Sequence, residues 1–335
     1  MASKSATHAD HARRLGLVIV PVADLTLVKQ GDEWVDSADG QVVSKRRLSE
    51  LEALVLPPNW KGLRASPSVD AHLQAVGTDD VGRLQYRYHD RWADVRNAVK
   101  AQRLLEFGRA LPLIREAVAR DLKAKLGTKP NVVATAVRLL DTKLVRPGNE
   151  QYAKQGTTGA STLQPGQVRE DGKRLLYVGK SGKTIDVEID DLKLQRRLAA
   201  LKRRNRGRVF RYRRKARRAK SSLTASDINA YLRRVSKRGV SAKDFRTFAA
   251  TAIALQRLCE VADRTPESKA VTAAIKQASK RLRNTPAVAR SSYVHPLVVG
   301  SYLDGNLSPA LLKGRQRAGL DRAETALMRL LDETR

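Results

Sequence analysis

Leu175-Leu176-Tyr177-Val178, Gly179-Lys180-Ser181-Gly182-Lys183 and Ile185-Asp186-Val187-Glu188-Ile189 lie close together in mid-chain. Two short apolar or alternating runs across a turn rich in glycine and lysine read as a β-hairpin. Thr162-Leu163, separated from them by Glu170-Asp171-Gly172, adds a strand, so residues 161–190 predict a three-stranded meander. Gly-Lys-Ser-Gly-Lys is not a nucleotide-binding loop here. It lacks the first glycine of that pattern at the required distance and sits between strands rather than before a helix.

On both sides of the meander the pattern is helical. Residues 93–125 place Val95, Val99, Leu104, Leu105, Leu111, Ile114 and Val118 on a recurring face. Residues 131–145 form a second helix, ended by Arg146-Pro147-Gly148. Downstream, Thr224 or Ser226 caps a helix to Val235 and Ser241 caps one over 242–262. Pro266 opens another to Leu282, and shorter helices follow at 308–316 and 321–332. Before residue 92 the texture is β-like, with turn signals at Asp39-Gly40, Pro57-Pro58 and Gly82. There Leu73-Gln74-Ala75-Val76 and Leu84-Gln85-Tyr86-Arg87-Tyr88 predict a hairpin. The fold class is therefore α+β. A disordered start over 1–14 precedes a small β-rich domain over 15–92. A mostly α-helical domain over 93–335 carries the three-stranded meander.

Charge narrows the function. The 335 residues hold 65 Lys+Arg against 34 Asp+Glu, a net charge of +31, while 41% hydrophobic residues allow a real core. Such a balance calls for an acidic polymer, and nucleic acid is the commonest. Only 4% of residues are aromatic, so base-stacking platforms do not dominate binding. Residues 202–220 contain no acid, and their like charges should keep the run mobile until a polyanion binds. The single cysteine, Cys259, excludes an internal disulfide and any zinc site needing several thiolates; its apolar helical neighbours suit packing. The five histidines show no metal-ligand spacing, so no metal or other cofactor is implied. No apolar run approaches the ~20 residues of a membrane span, and none reads as a cleaved signal, so a cytoplasmic, nucleoid-associated protein is expected.

Four segments carry chemistry: Leu144-Val145-Arg146-Pro147-Gly148-Asn149-Glu150; Tyr177-Val178-Gly179-Lys180; Lys243-Asp244-Phe245-Arg246-Thr247-Phe248; and Asn284-Thr285-Pro286, nine residues before Tyr293. Singly, each fits a surface arginine or a packing tyrosine. In order, and with Gly82-Arg83-Leu84-Gln85-Tyr86-Arg87-Tyr88-His89 and Trp92 before them, they resemble the type IB DNA topoisomerases, in particular the short bacterial and poxvirus-like branch. The resemblance covers nearly the whole chain. It implies a small β-rich clamp domain, a catalytic domain of the kind shared with tyrosine recombinases, duplex DNA as partner and a monomer that clamps it.

The resemblance also implies roles. Tyr293 is the nucleophile that becomes joined to a 3′ phosphate. Arg146 and Arg246 are the catalytic arginines, Lys180 the catalytic lysine, and Asn284 stands where a histidine is commoner. The chemistry explains the residue types. Charge building on the non-bridging oxygens suits planar, permanently charged guanidiniums. A flexible lysine on a turn can protonate the leaving 5′ oxygen. An amide N–H at Asn284 can donate to a phosphate oxygen but cannot become cationic. Lys243, one turn from Arg246, is placed to assist. Arg64, Arg83, Tyr86, Arg87, Arg213, Arg214 and Arg290 are candidate DNA contacts, mainly to the backbone.

The nearest alternative is a tyrosine site-specific recombinase. Those enzymes usually have His-x-x-Arg at the second arginine, whereas Lys243 stands three residues before Arg246. A non-enzymatic architectural DNA binder explains the charge but not the ordered segments.

Overall fold

The computed structural model describes residues 2–31, 33–213 and 220–333. They divide into two compact units, Met1–Lys100 and Ala101–Arg335. In the first, α1 (Ala2–Arg14) precedes an antiparallel sheet of β1 (Leu27–Gln30), β2 (Glu33–Asp36), β3 (Lys61–Ala65), β4 (Leu73–Thr78) and β5 (Leu84–Tyr88), in the order β2-β1-β3-β4-β5. The expected hairpin is present, with Val76 opposite Tyr86. A helix not expected from sequence, α2 (Lys45–Glu52), is started by Ser44, whose hydroxyl accepts from the Arg47 N–H. Its Leu51 is buried with Leu27, Trp34, Ala65 and Ala75.

The start of the chain departs from expectation. Residues 2–14 are helical rather than disordered, because Ala12 and Leu17 are buried against Trp92 and Val95 at the beginning of α3 (Trp92–Asp121). This apolar seat comes from residues distant in sequence, so local composition does not reveal it. The two compact units divide after Lys100, inside α3.

The second unit contains α4 (Lys129–Lys143), α5 (Glu150–Lys154), β6 (Val168–Arg169), β7 (Arg174–Val178), β8 (Thr184–Glu188) and α6 (Leu192–Arg204). After these come β9 (Arg211–Arg213), β10 (Lys220–Ser222), α7 (Ala225–Ser236), α8 (Ala242–Cys259), α9 (Ser268–Leu282), α10 (Pro286–Ser292), α11 (Pro296–Leu303) and α12 (Arg322–Glu333). The meander is antiparallel, in the order β6-β7-β8. Its first strand is Val168–Arg169, not Thr162-Leu163. The Thr162 hydroxyl accepts from the Gly159 N–H at 2.9 Å and closes a tight turn there instead.

Helix α8 runs through the core. Phe245, Phe248, Leu255 and Leu258 are buried, and Phe107 of α3 meets Phe245 edge-on at 5.0 Å. Each such side chain contributes roughly 1.5–3 kcal/mol on burial. The start of α8 is fixed by Asp244, which accepts from the Ser241 N–H at 2.7 Å and from Arg103 at 2.6 and 2.9 Å. Residues 308–316 form only a short 3-10 turn, Pro309–Leu312, because Gly314 takes a left-handed conformation, φ 86°, that no helix continues through.

Within the basic run, residues 202–213 and 220 are built into the fold, where mobility was expected. Its first residues finish α6. Val209, Phe210 and Tyr212 are interleaved with the cations and buried in the core. Lys202 donates to the Val168 carbonyl at 2.7 Å and Lys220 to the Arg204 carbonyl at 2.7 Å. Arg214, Lys215, Arg217 and Arg218 lie outside the described residues. Among the described residues no helix is long and apolar enough to cross a membrane.

Candidate active site

The four segments meet in the second unit. Helix α4 ends at Leu144 in a left-handed conformation, φ 52°, which turns the chain out to Arg146. Beyond it the loop folds back: Ala160 N–H donates to the Arg146 carbonyl and Ser161 N–H to that of Pro147, both at 2.8 Å. The two passes are so close that a Cβ on Gly159 would sit 2.4 Å from the Gly148 nitrogen, so glycine is needed there. Thr158 N–H then donates to the Val178 carbonyl at 2.7 Å, tying this loop to β7.

Lys180 opens the tight turn Lys180–Gly182 between β7 and β8, closed by Gly179 N–H donating to Lys183 O at 2.7 Å. Its ammonium lies over the Tyr152 ring, 5.6 Å from the centroid. Tyr152 belongs to α5, which Asn149 caps by accepting from the Gln151 N–H at 2.7 Å. That contact sets a cation against the face of an aromatic ring, which attracts it.

Tyr293 ends α10, a helix capped by the Thr285 hydroxyl. Its carbonyl accepts from the Thr251 hydroxyl at 3.0 Å, and its ring is 7% exposed. The phenolic oxygen accepts from Nη1 of Arg146 at 2.8 Å. The Arg246 guanidinium lies over the ring, 4.9 Å from its centroid. Burial alone would raise the Tyr293 phenol, but Arg246 and Arg146 together outweigh it and hold the group below its ordinary value.

Arg246 is 3% exposed and held by the protein: Nη1 donates to the Leu144 carbonyl and Nη2 to that of Leu282 at 3.0 Å. Burial pulls this guanidinium below its ordinary value, Tyr293 opposing and Arg146 adding to the effect. Its Nε has no partner among the described residues, and neither end of the Asn284 side-chain amide has one. Leaving a buried polar group unpaired costs about 1–3 kcal/mol. Groups left open inside a pocket are in place to receive a ligand.

Two adjoining pockets share Arg146, Thr158, Lys180, Arg246 and Val288. One is completed by Lys243, Tyr152, Ser292 and Tyr293, the other by Asn284, Arg283 and Tyr177. The structure thus brings together Arg146, Lys180, Arg246, Tyr293, Lys243 and Asn284. An anion in these pockets would meet guanidiniums, an ammonium and an amide, with a phenol alongside.

The outlying candidates are not gathered here. In the first unit Arg64 donates to the Leu25 and Ala23 carbonyls, and Arg87 to that of Leu54, so both brace backbone. Arg83 pairs with Asp79 at 3.3 Å. Tyr86 is 44% exposed and stacked on Tyr88. Arg213 and Arg290 are exposed, and Arg214 lies outside the described residues. His295 is buried as the cap of α11, its Nδ1 accepting from the Leu297 N–H at 3.1 Å.

Sequence reasoning missed Tyr152, Tyr177 and Arg283. Tyr177 looks like a packing residue on an alternating strand, yet it borders the second pocket. Burial pushes its phenol up to about 12, against the pull of Arg283, Arg246 and Arg146. Tyr152 carries one local signal, its place in a short capped helix directly after the Arg146 segment.

Residues 90–301 match the family model described as the catalytic core of eukaryotic DNA topoisomerase I. Residues 33–79 match that of the bacterial DNA topoisomerase IB N-terminal domain. A DNA topoisomerase 1B of Acanthamoeba polyphaga mimivirus is 27% identical over 286 residues, 79% of this chain and 83% of that protein.

Proposed function

The chain belongs to the DNA topoisomerase I family, as a type I enzyme of the IB kind, and from that premise we propose that it relaxes supercoiled duplex DNA through a covalent 3′-phosphotyrosyl intermediate on Tyr293. The observation that carries this reading is the Tyr293 hydroxyl at 2.8 Å from Arg146 Nη1, with Arg246 over its ring. Two cations ease ionisation of the nucleophile and stand where a phosphate would be clamped.

In the proposed reaction the phenolic oxygen of Tyr293 attacks the phosphorus and its proton passes to solvent. The bond from phosphorus to the 5′ oxygen breaks as the new one forms. Arg146 and Arg246 neutralise charge on the non-bridging oxygens, and Asn284 donates one further hydrogen bond. Lys180 supplies the proton that the 5′ oxygen takes as it leaves. One phosphoester replaces another, so religation is the same step reversed and needs no ATP. The guanidiniums supply the positive charge that a metal ion would otherwise bring. Lys243, on the first turn of α8 beside Arg246, assists.

Duplex binding through the backbone, by a monomer acting on DNA in the cytoplasm, belongs to the same proposal. A net charge of +31 and the family match support the DNA partner. Incubation with supercoiled plasmid, without ATP or magnesium, should yield a ladder of topoisomers differing by single links. A requirement for paired specific sites would point to a recombinase, and binding without relaxation to an architectural role.

A further inference from the structure

Helix α4 ends just before Arg146, and three carbonyls at that end are capped in succession by guanidiniums. Arg281 Nη2 donates to Thr142 O at 2.6 Å, Arg283 Nη1 to Lys143 O at 2.8 Å, and Arg246 Nη1 to Leu144 O. A helix leaves its last carbonyls without partners, and its C-terminus attracts cations. Arg283 does more than cap. Its Nε donates to Asp186 O at 3.3 Å on β8, the edge strand that closes the Lys180 turn. The next residue in the chain is Asn284. One side chain therefore ties the segment that presents Arg146 to the hairpin that presents Lys180, while its own backbone leads into Asn284.

Two unfavourable features are retained for this. Arg283 adopts φ 54°, the left-handed region where glycine alone carries no steric penalty. Its guanidinium is partly buried, and among the described residues no carboxylate forms an ion pair with it. Burial pulls this group below its ordinary value, Arg281 adding and Tyr177 and Asp186 opposing. A residue placed only to end a helix would need neither feature, since glycine ends helices well.

We propose that Arg283 is a positioning residue, which holds Arg146, the Lys180 turn and Asn284 in mutual register for transesterification. This rests on the phosphotyrosyl reading above. Arg283 borders the same pocket as these three, so a small displacement of either anchor is felt at the reacting phosphate.

The test is Arg283→Gly in the full chain. Glycine relieves the backbone, so thermal stability should hold or rise, and duplex affinity should stay within about three-fold, one cation among many being lost. The single-turnover cleavage rate should fall by about ten- to hundred-fold, the scale of a sub-ångström to ångström misplacement. Arg283→Lys, which reaches one carbonyl but not both, should lie between. A substrate with sulfur in the bridging 5′ position leaves without protonation, so it should return part of the rate lost through Lys180. Wild-type cleavage by Arg283→Gly overturns the proposal. So does a loss of cleavage matched by an equal loss of stability and affinity, which marks a merely structural clasp. If the unaltered protein forms no covalent adduct, the phosphotyrosyl reading itself fails and the proposal falls with it.

Discussion

Arg146 and Tyr293, 147 positions apart in sequence, share a 2.8 Å hydrogen bond in which the guanidinium donates to the phenolic oxygen. The group that would clamp the phosphate is thus already in contact with the group that would attack it. Arg246 completes the arrangement from the face of the ring, 4.9 Å away. Because Arg246 also holds the carbonyls of Leu144 and Leu282, this cation is part of the scaffold. Preorganisation of this kind avoids rearranging dipoles as charge develops.

The two pocket tyrosines should titrate apart. Tyr293 is held below its ordinary value of 10.0 by Arg246 and Arg146 against the opposing effect of burial, while burial pushes Tyr177 up to about 12. A difference ultraviolet titration of the protein against Tyr293→Phe should show one tyrosine ionising below pH 10. Arg146→Gln should move that ionisation upward. Between its native value and 10.0, Tyr293 binds fewer protons folded than unfolded, so its contribution to stability rises with pH across that window. Tyr177 has the reverse sign: its contribution is intact below pH 10 and is lost as pH rises towards 12. Ionisation of Tyr293 at or above the ordinary value would contradict this arrangement.

Lys180→Ala should slow cleavage of ordinary DNA by about 10²–10⁴-fold, the usual loss when a positioned acid is removed. With sulfur as the leaving atom the same variant should approach the unaltered protein, because a thiolate departs without a proton. An undiminished defect on the sulfur substrate would remove Lys180 from the acid role.

Asn284 is a site where stability and activity oppose each other. Both ends of its amide are buried without a partner, at a cost of about 1–3 kcal/mol. Asn284→Leu should therefore unfold at an equal or higher temperature, yet cleave about 10²–10³-fold more slowly, as when an oxyanion donor is lost. Asn284→His should keep or raise the cleavage rate, since an imidazole N–H can donate the same bond. Full cleavage by the leucine variant would show that the amide does not meet the phosphate.

Much of this site was legible because it depends on local order. Thr224 and Ser241 stand at the starts of α7 and α8 as capping rules predict, and Arg146, Lys180, Arg246 and Tyr293 lie in ordered segments. What escaped the sequence is non-local. Helix α1 is held by Trp92 and Val95, and the end of α4 is capped by arginines from α8 and from the end of α9. Val209, Phe210 and Tyr212 anchor a run whose charge alone suggests mobility. Tyr177 follows strand alternation, which says that it is buried but not what it is buried beside.

The frame behind the site is held by a buried ionic bridge. Arg115 of α3 bridges Asp141 of α4 at 2.9 Å and Glu324 of α12 at 2.8 Å, with both carboxylates largely buried. Burial raises the Glu324 carboxyl, and pairing with Arg115 only partly offsets this. Glu324→Ala should cost about 2–3 kcal/mol in denaturant unfolding, somewhat less than breaking a buried pair outright, because Asp141 still holds Arg115. A loss under about 0.5 kcal/mol would mean that the bridge is screened like a surface pair.

The most direct measurement is to trap the protein on nicked or suicide duplex DNA, digest the adduct and identify the modified residue. The phosphotyrosyl reading predicts a single adduct, on Tyr293, joined to a 3′ phosphate with a free 5′-hydroxyl strand released. Tyr293→Phe should bind the duplex with unchanged affinity and give none. An adduct on another residue, a linkage to the 5′ end, or normal adduct formation by Tyr293→Phe would contradict it.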